Sequence, residues 1–249
     1  TLTEKHADAV KAFMEKQGLG AKDVQMIGFH GQTLWHDPAA KESVQIGDGD
    51  LLADLTNITV VNDFRTADIR AGGEGAPLAP LYHRALAHNL LKPVAIINIG
   101  GVSNITWIGN KGEDDILAFD LGTGNALLDD WMMKHAGVPY DKNGDFSRLG
   151  KVDNAYVDRY LEHPFFAKTP PKSLDRDAFN EFVPKEMSSE DGAATLTMMT
   201  VCALAHGLTQ VPEQPTMLYI TGGGRYNRYM LELLEKKTSI EVKTVEALG

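Results

Sequence analysis

Glycine-rich segments follow several apolar β-runs of this chain, and the first of them has the residue types to hold an anion. The first joins the runs 94–99 and 102–108 through Gly100, Gly101, Ser103 and Asn104, with Asn98 just upstream. Glycine has no Cβ, so backbone N–H groups can close on phosphate, and Ser and Asn side chains can donate to the same oxygens. The second, Gly222-Gly223-Gly224, follows the run 217–221 and precedes a helical pattern. The third, Gly122-Thr123-Gly124-Asn125, closes the run 115–120 that ends in Asp120. Upstream, Asp63-Phe64-Arg65 ends the run 58–62, and His30-Gly31-Gln32-Thr33 ends the run 24–29. In open α/β sheets ligands collect outside the carboxyl ends of strands, so these positions suit contact with a ligand. By residue type alone, Asp63 can act on a ligand, cap a turn or pair with Arg65, and His30 can be an ordinary strand-end histidine.

Composition narrows the partners. A chain of 249 residues that is 43% hydrophobic is globular and long enough for one large domain or two modest ones. Its formal net charge of −10 argues against nucleic acid or an anionic membrane surface as a general partner, since both need a basic footprint. The single cysteine, Cys202, lies in an apolar helical run, so no disulfide framework exists and a cytoplasmic location is expected. No signal-peptide pattern opens the chain, and no apolar run reaches the roughly 18–20 residues that span a bilayer. The chain starts at Thr1 rather than Met, from which a preceding segment is expected.

The elements that must position these turns alternate between helix and strand. Thr3 is expected to cap a first helix that presents Ala7, Val10, Phe13 and Met14 and ends at Gly18. Strands over 24–29 and 58–62 flank a helix over 50–56, and a Gly/Pro-rich loop over 71–80 leads to a helix ending near Leu91. Lys92-Pro93 is the expected domain boundary. Beyond it come the hairpin, the run 115–120, a helix over 126–136 capped by Asn125, and an irregular stretch over 138–187. Ser188-x-x-Asp191 marks the start of a buried helix over 193–208. The strand before the glycine triad, a helix over 226–236 and a strand over 240–245 complete the chain. Trp107, Trp131 and the Met198-Met199 pair read as core. A dinucleotide-binding Rossmann unit is excluded, because Gly122-x-Gly124 lacks the third glycine and the acidic residue about 20 positions on.

The order hairpin, strand, helix, strand–Gly-Gly-Gly–helix resembles the second domain of the actin-like sugar kinases. Within that superfamily, Gly28-Phe-His-Gly-Gln-Thr33, Asn62-Asp-Phe-Arg65, Gly72-Gly-Glu-Gly-Ala-Pro-Leu78, Asn98-Ile-Gly-Gly-Val-Ser-Asn-Ile105 and Phe119-Asp-x-Gly-x-Gly-Asn125 resemble, in order and spacing, the anhydro-N-acetylmuramic acid kinases. The resemblance spans nearly the whole chain. It implies an α/β fold of two actin-like, ribonuclease H-like domains with a cleft between them. The first domain would be incomplete in this chain (1–91, sugar and base), and the second (92–249) would hold ATP. It also implies ATP-dependent opening of the 1,6-anhydro bridge of a muramic sugar with phosphorylation of O6, a step of peptidoglycan recycling.

By this resemblance Asp63 is the base toward the attacking water. His30, Gly31, Gln32 and Thr33 contact the sugar, Arg65 is a partner for its lactyl carboxylate, and Gly73 and Gly75 let the backbone approach it, with Glu74 a second carboxylate nearby. Asn98, Gly100, Gly101, Ser103, Asn104, Gly122, Gly124, Asn125, Gly222, Gly223 and Gly224 surround ATP. Asp120 either holds Mg²⁺, directly or through water, or receives N–H groups of its own turn. A homodimer is expected, with neither nucleic acid nor membrane as partner. The family's opening strand and Gly-Thr-Ser-x-Asp-Gly turn are not in this sequence, and neither is a C-terminal helix returning to the first domain. The expectation is therefore that the chain alone is inactive. The alternatives are another actin-like sugar or acetate-type kinase and a non-catalytic sugar- or nucleotide-binding fragment.

Overall fold

The computed structural model describes the whole chain except Pro38, Ala39, Glu74, Ala76, Glu113, residues 175–177, Gly249 and the side chain of His36. The Glu74 expectation thus lies outside the described residues. The chain divides into two compact units, Thr1–Leu78 and Ala79–Gly249.

The first unit begins with α1 (Leu2–Gln17), capped by a reciprocal Thr1–Glu4 capping box and closed by Gly18 in the left-handed region. Thr1 is therefore the cap in place of Thr3. The Thr3 side chain is buried and accepts the Asp48 N–H at 3.0 Å. Two short parallel strands follow, β1 (Ile27–Phe29) and, after the helix α2 (Gly49–Thr56), β4 (Val60–Asn62). Between β1 and α2 an antiparallel hairpin, β2 (Gln32–Asp37) with β3 (Glu42–Ile46), occupies residues for which no element is read from the sequence. Its apolar residues Leu34, Trp35, Val44 and Ile46 are exposed, so it lacks the one-sided burial that makes strand periodicity legible. A one-turn helix, α3 (Thr66–Arg70), closes the unit. The small core is Ala7, Phe29 and Leu52, with Ile27, Leu55 and Val60 packed around them.

The second unit is built on a five-stranded sheet. Its strands are β5 (Val94–Ile99), β6 (Val102–Ile108), β7 (Ile116–Thr123), β8 (Leu218–Thr221) and β9 (Val242–Thr244), in the order β7-β6-β5-β8-β9. The β7–β6 and β6–β5 pairs are antiparallel, whereas β5–β8 and β8–β9 are parallel. Period-two alternation sends Ala95, Ile97 and Ile99 of β5 to one face and Val94 and Ile96 to the other. The first face carries the larger core, covered by α5 (Ala126–Ala136), α6 (Asn154–Leu161), α7 (Pro164–Ala167), α8 (Ser189–Leu208) and α9 (Arg228–Thr238). Trp107, Trp131 and Met199 are buried there, as their composition suggests.

On the other face Ala87, just beyond α4 (Ala79–Leu86), packs with Val94, Ile96, Ile108 and Tyr219. His83 Nδ1 also lies 2.8 Å from Thr106 Oγ1 of β6. The two compact units meet at Leu78/Ala79, so α4, none of whose residues is fully buried, goes with the sheet that His83 and Ala87 contact. The irregular stretch before α8 holds short helices and turns, and Asp141 organises part of it. This buried carboxylate accepts the N–H groups of Phe146 and Ser147 and the Ser147 hydroxyl.

Candidate active site

Strand direction brings three turns of the second unit to one sheet edge. β5 and β8 run parallel, with Asn98 beside Thr221, so the hairpin turn and the glycine triad leave the sheet together. β7 is antiparallel to β6, which is antiparallel to β5, so β7 also ends at this edge, with Thr123 opposite Val102. The three turns then lock together. The Gly124 N–H donates to Gly101 O at 3.0 Å, the Asn125 N–H to Gly100 O at 2.6 Å and Asn125 Nδ2 to Ile99 O at 3.1 Å. A Cβ at Gly222, where φ is +77°, would sit 2.5 Å from both Asn98 Oδ1 and Ile99 O. One at Gly224 would meet Ile99 Cγ2 at 2.4 Å. Glycine is required at 222 by conformation and by the approach of the Ile99 main chain, and at 224 by the packing of the Ile99 side chain.

The packing divides the roles of the expected nucleotide residues. Gly101 and Gly223 are exposed at the edge, and Asn98, Gly100, Asn104, Asn125 and Gly222 are partly exposed. Ser103, Gly122 and Gly124 are buried. The Ser103 hydroxyl shares its proton between Gly122 O and Thr123 O, at 3.1 and 3.0 Å, so it braces the turn from within and does not reach an outside ligand. Gly100 turns its N–H inward onto Val102 O at 3.2 Å. Asn125 occupies the N-cap position of α5, but its amide donates to Ile99 instead of capping the helix. A cavity of about 550 Å³ adjoins this edge. It is lined by Asn125, Leu128, Gly223, Gly224, Tyr226 and Asn227 on one side and by residues 140–143 on the other. That volume lies in the range of small-molecule sites.

Asp120 lies within β7, opposite Asn104 and three residues before the strand ends at Thr123, where the sequence places it at the strand end. Its Oδ2 accepts the Leu174 N–H at 2.7 Å and its own N–H donates to Lys172 O at 2.9 Å, so it ties the 172–174 segment to β7 instead of receiving its own turn. Burial pushes its carboxyl pKa up, with the Leu174 N–H opposing that shift. No group of three His, Cys, Asp or Glu is arranged for a metal ion among the described residues.

In the first unit Asp63 follows β4 directly, exposed and with φ of +53°. A non-glycine residue in this region is uncommon, and such backbone is concentrated at functional sites. The Thr66 hydroxyl donates to Asp63 Oδ1. Arg65 turns instead to Gly75, donating from Nη1 to the carbonyl at 2.9 Å. Asp68 holds the same loop: its Oδ2 accepts the Gly75 N–H at 2.7 Å, and its carbonyl accepts the Gly73 N–H. The amides of Gly73 and Gly75 are thus directed at Asp68. These glycines serve the packing of the loop on α3, where a Cβ at Gly73 would lie 2.2 Å from Asp68 Oδ2. His30 is exposed, Gly31 is the left-handed residue between β1 and β2, and Gln32 and Thr33 belong to β2, where Thr33 Oγ1 accepts from Gln45 Nε2 at 3.3 Å.

A family model described as anhydro-N-acetylmuramic acid kinase matches residues 1–249. The chain belongs to this kinase family. It is 49% identical over 247 residues to the anhydro-N-acetylmuramic acid kinase of Paramagnetospirillum magneticum, covering 98% of this chain and 69% of that one. It is 47% identical to that of Rhodospirillum rubrum, with 100% of this chain and 65% of that one covered. Among solved structures, the xylulose kinase of Rhodospirillum rubrum matches with a TM-score of 0.45 and 13% identity, over 80% of this chain and 42% of that one.

Several residues of this kinase-family chain that shape the site carry no motif. Tyr160 and Thr200, both fully buried, contact the Gly122–Gly124 turn from α6 and α8. Thr195, Thr197 and Thr200 inside an otherwise apolar helix were the available signal, since buried hydroxyls require partners. Asp68 and the cavity residue Asn227 had none.

Proposed function

We propose that this chain carries the sugar and nucleotide chemistry of an ATP-dependent kinase that opens 1,6-anhydro-N-acetylmuramic acid and yields N-acetylmuramic acid 6-phosphate. The convergence of three glycine turns on one sheet edge beside a cavity of nucleotide size is the observation that carries the reading. In the reaction, Asp63 takes a proton from the water that adds to the anomeric carbon. As that C–O bond forms, the bond from the anomeric carbon to O6 breaks, and O6 accepts the γ-phosphoryl group while ADP leaves. Phosphoryl transfer needs positioning and charge stabilisation more than covalent help. The exposed Gly101 and Gly223 and the Asn98 and Asn125 amides supply positioning.

Mg²⁺ is commonly held by one or two carboxylates together with phosphate and water. Asp120 fits that limited part through its other oxygen or through water, and the ion would neutralise phosphate charge. His30, Gln32 and Arg65 are the proposed sugar contacts of the first unit. Arg65 keeps guanidinium N–H groups beyond the one given to Gly75 and suits a lactyl carboxylate. A homodimer in the cytoplasm belongs to the same proposal. No helix among the described residues is long and apolar enough to cross a membrane.

The test is Asp63→Asn in the full-length protein. Turnover of the anhydro sugar is expected to fall by about 10² to 10⁴, with ATP affinity unchanged. Near-normal turnover removes Asp63 as base, and phosphorylation of ordinary hexoses but not the anhydro sugar overturns the substrate.

A further inference from the structure

The Gly122–Gly124 turn is held by three buried hydroxyls that reach it from three different elements. Ser103 of β6 donates to the carbonyls of Gly122 and Thr123. Tyr160 of α6 accepts the Thr123 N–H at 3.1 Å. Thr200 of α8 donates to Gly124 O at 2.8 Å. All three side chains are buried to within 1% of full exclusion from solvent. On its other side the same turn donates two N–H groups to the carbonyls of Gly100 and Gly101. A buried hydroxyl in an aromatic or apolar setting costs free energy unless it is bonded, so the bonds and the turn geometry require each other.

The setting of Tyr160 shows how specific the arrangement is. Its ring lies edge-on to Phe166, Phe179 and Phe182, with centroids 4.9 to 5.4 Å away. Apolar packing alone would be met equally well by phenylalanine. The hydroxyl has a different task, since a Cβ at Gly122 would lie 2.8 Å from it and 2.7 Å from Ala203 Cβ. Glycine 122 and the Tyr160 oxygen therefore share one tightly bounded space. Burial raises the pKa of this phenol, which keeps it neutral.

We propose that Tyr160 and Thr200 are positioning residues for the nucleotide: their hydroxyls set the Gly122–Gly124 turn, and through it the height of the Gly100-Gly101 hairpin against the phosphates. The proposal rests on the kinase reading above. It assigns neither residue a contact with ATP. The effect passes through the turn's main chain and from there into the hairpin carbonyls.

The experiment is ATP binding to the full-length protein by titration calorimetry, alongside steady-state kinetics. Tyr160→Phe keeps the ring and leaves the Thr123 N–H unpartnered. ATP binding and KM for ATP are expected to weaken about tenfold, with KM for the anhydro sugar changed by less than about twofold. Thr200→Val is the second variant, expected to weaken ATP about fivefold, and Thr200→Ser, which restores a hydroxyl, should recover most of that loss. Val157→Ala, on the same helix as Tyr160 and also buried, is the packing control and should lower thermal stability without this selective loss. If Tyr160→Phe does not fold, the Thr200 pair decides alone. ATP affinity within twofold of wild type in the folded hydroxyl-free variants, or an equal loss in Val157→Ala, overturns the positioning role. Failure of the wild-type protein to bind ATP overturns instead the kinase reading on which it rests.

Discussion

Gly124→Ala tests whether the hairpin and the β7 turn form one body. A Cβ at this position would lie 2.2 Å from Gly100 O and 3.1 Å from both Gly100 C and Gly101 O. Ordinary contact begins at 3.4 Å, so the nearest pair falls short by 1.2 Å, and the obstacle is main chain that cannot rotate away. A shift of that size stretches the Asn125 N–H to Gly100 O bond from 2.6 Å to roughly 3.8 Å, outside hydrogen-bond range. It also strains the 3.0 Å bond from Gly124 N–H to Gly101 O. Two such bonds contribute about 1–3 kcal/mol net, and overpacking adds about 1–3 kcal/mol. A loss of about 3 kcal/mol in a chain of this size lowers Tm by about 6–12 °C. Because the displaced atoms belong to the edge proposed to hold the phosphates, ATP affinity should fall about 10- to 100-fold. Differential scanning calorimetry and ATP titration on the full-length protein measure both. Gly223→Ala is the contrast for stability, since its Cβ would meet only Asn125 Nδ2, at 3.4 Å, and Tm should move by less than about 2 °C. If Gly124→Ala melts within 2 °C of wild type and binds ATP normally, the reasoning about mutual contact of the two turns is wrong.

Two further outcomes follow from the packing. Gly75→Ala places a side chain at φ of +66°, with its Cβ 2.8 Å from Ile69 Cδ1 and Cγ1, which costs about 1–2 kcal/mol and loosens the loop from Asp68. KM for the anhydro sugar should rise several-fold while ATP affinity holds, and an effect on ATP alone would contradict the assignment of this loop to the sugar. The Glu246 carboxyl is held down at about 2 chiefly by its hydrogen bond to Arg225, whose Nη1 also donates to Gly222 O. A depressed carboxylate stabilises the fold above its ordinary pKa of 4.5 and loses that contribution as pH falls toward 2. Glu246 is exposed, so screening keeps the effect small. Melting curves of wild type and Glu246→Gln should differ slightly at pH 6 and converge near pH 2. A gap that widens in acid would reverse the assigned sign.

How much was legible depended on how local each signal was. The helix over 126–136 was readable from its 3.6-residue period, the start of the buried helix from its Ser188 cap and the left-handed closure from Gly18, because each of these signals lies within a few positions of the chain. The β2–β3 hairpin was not, since its apolar residues lie on no buried face. The run into Asp120 extends as strand to Thr123 because β6 continues to pair across a bulge at Ser103/Asn104, which only the partner strand dictates. The boundary at 78/79 likewise depends on what Ala87 and His83 touch.

By itself the sequence determined which residues can form turns that admit an anion, and their order identified the family, because glycine spacing and strand runs are properties of the chain itself. The direction of each hydrogen-bonding group was a tertiary decision. Ser103 and the amides of Gly73 and Gly75 have the chemistry of ligand contacts, yet they bond to Gly122 and Thr123 and to Asp68. Tyr160 meets the turn from 37 positions away and Thr200 from 76. A donor or acceptor is satisfied by whatever the fold brings within about 3 Å, and separation along the chain carries no record of that approach.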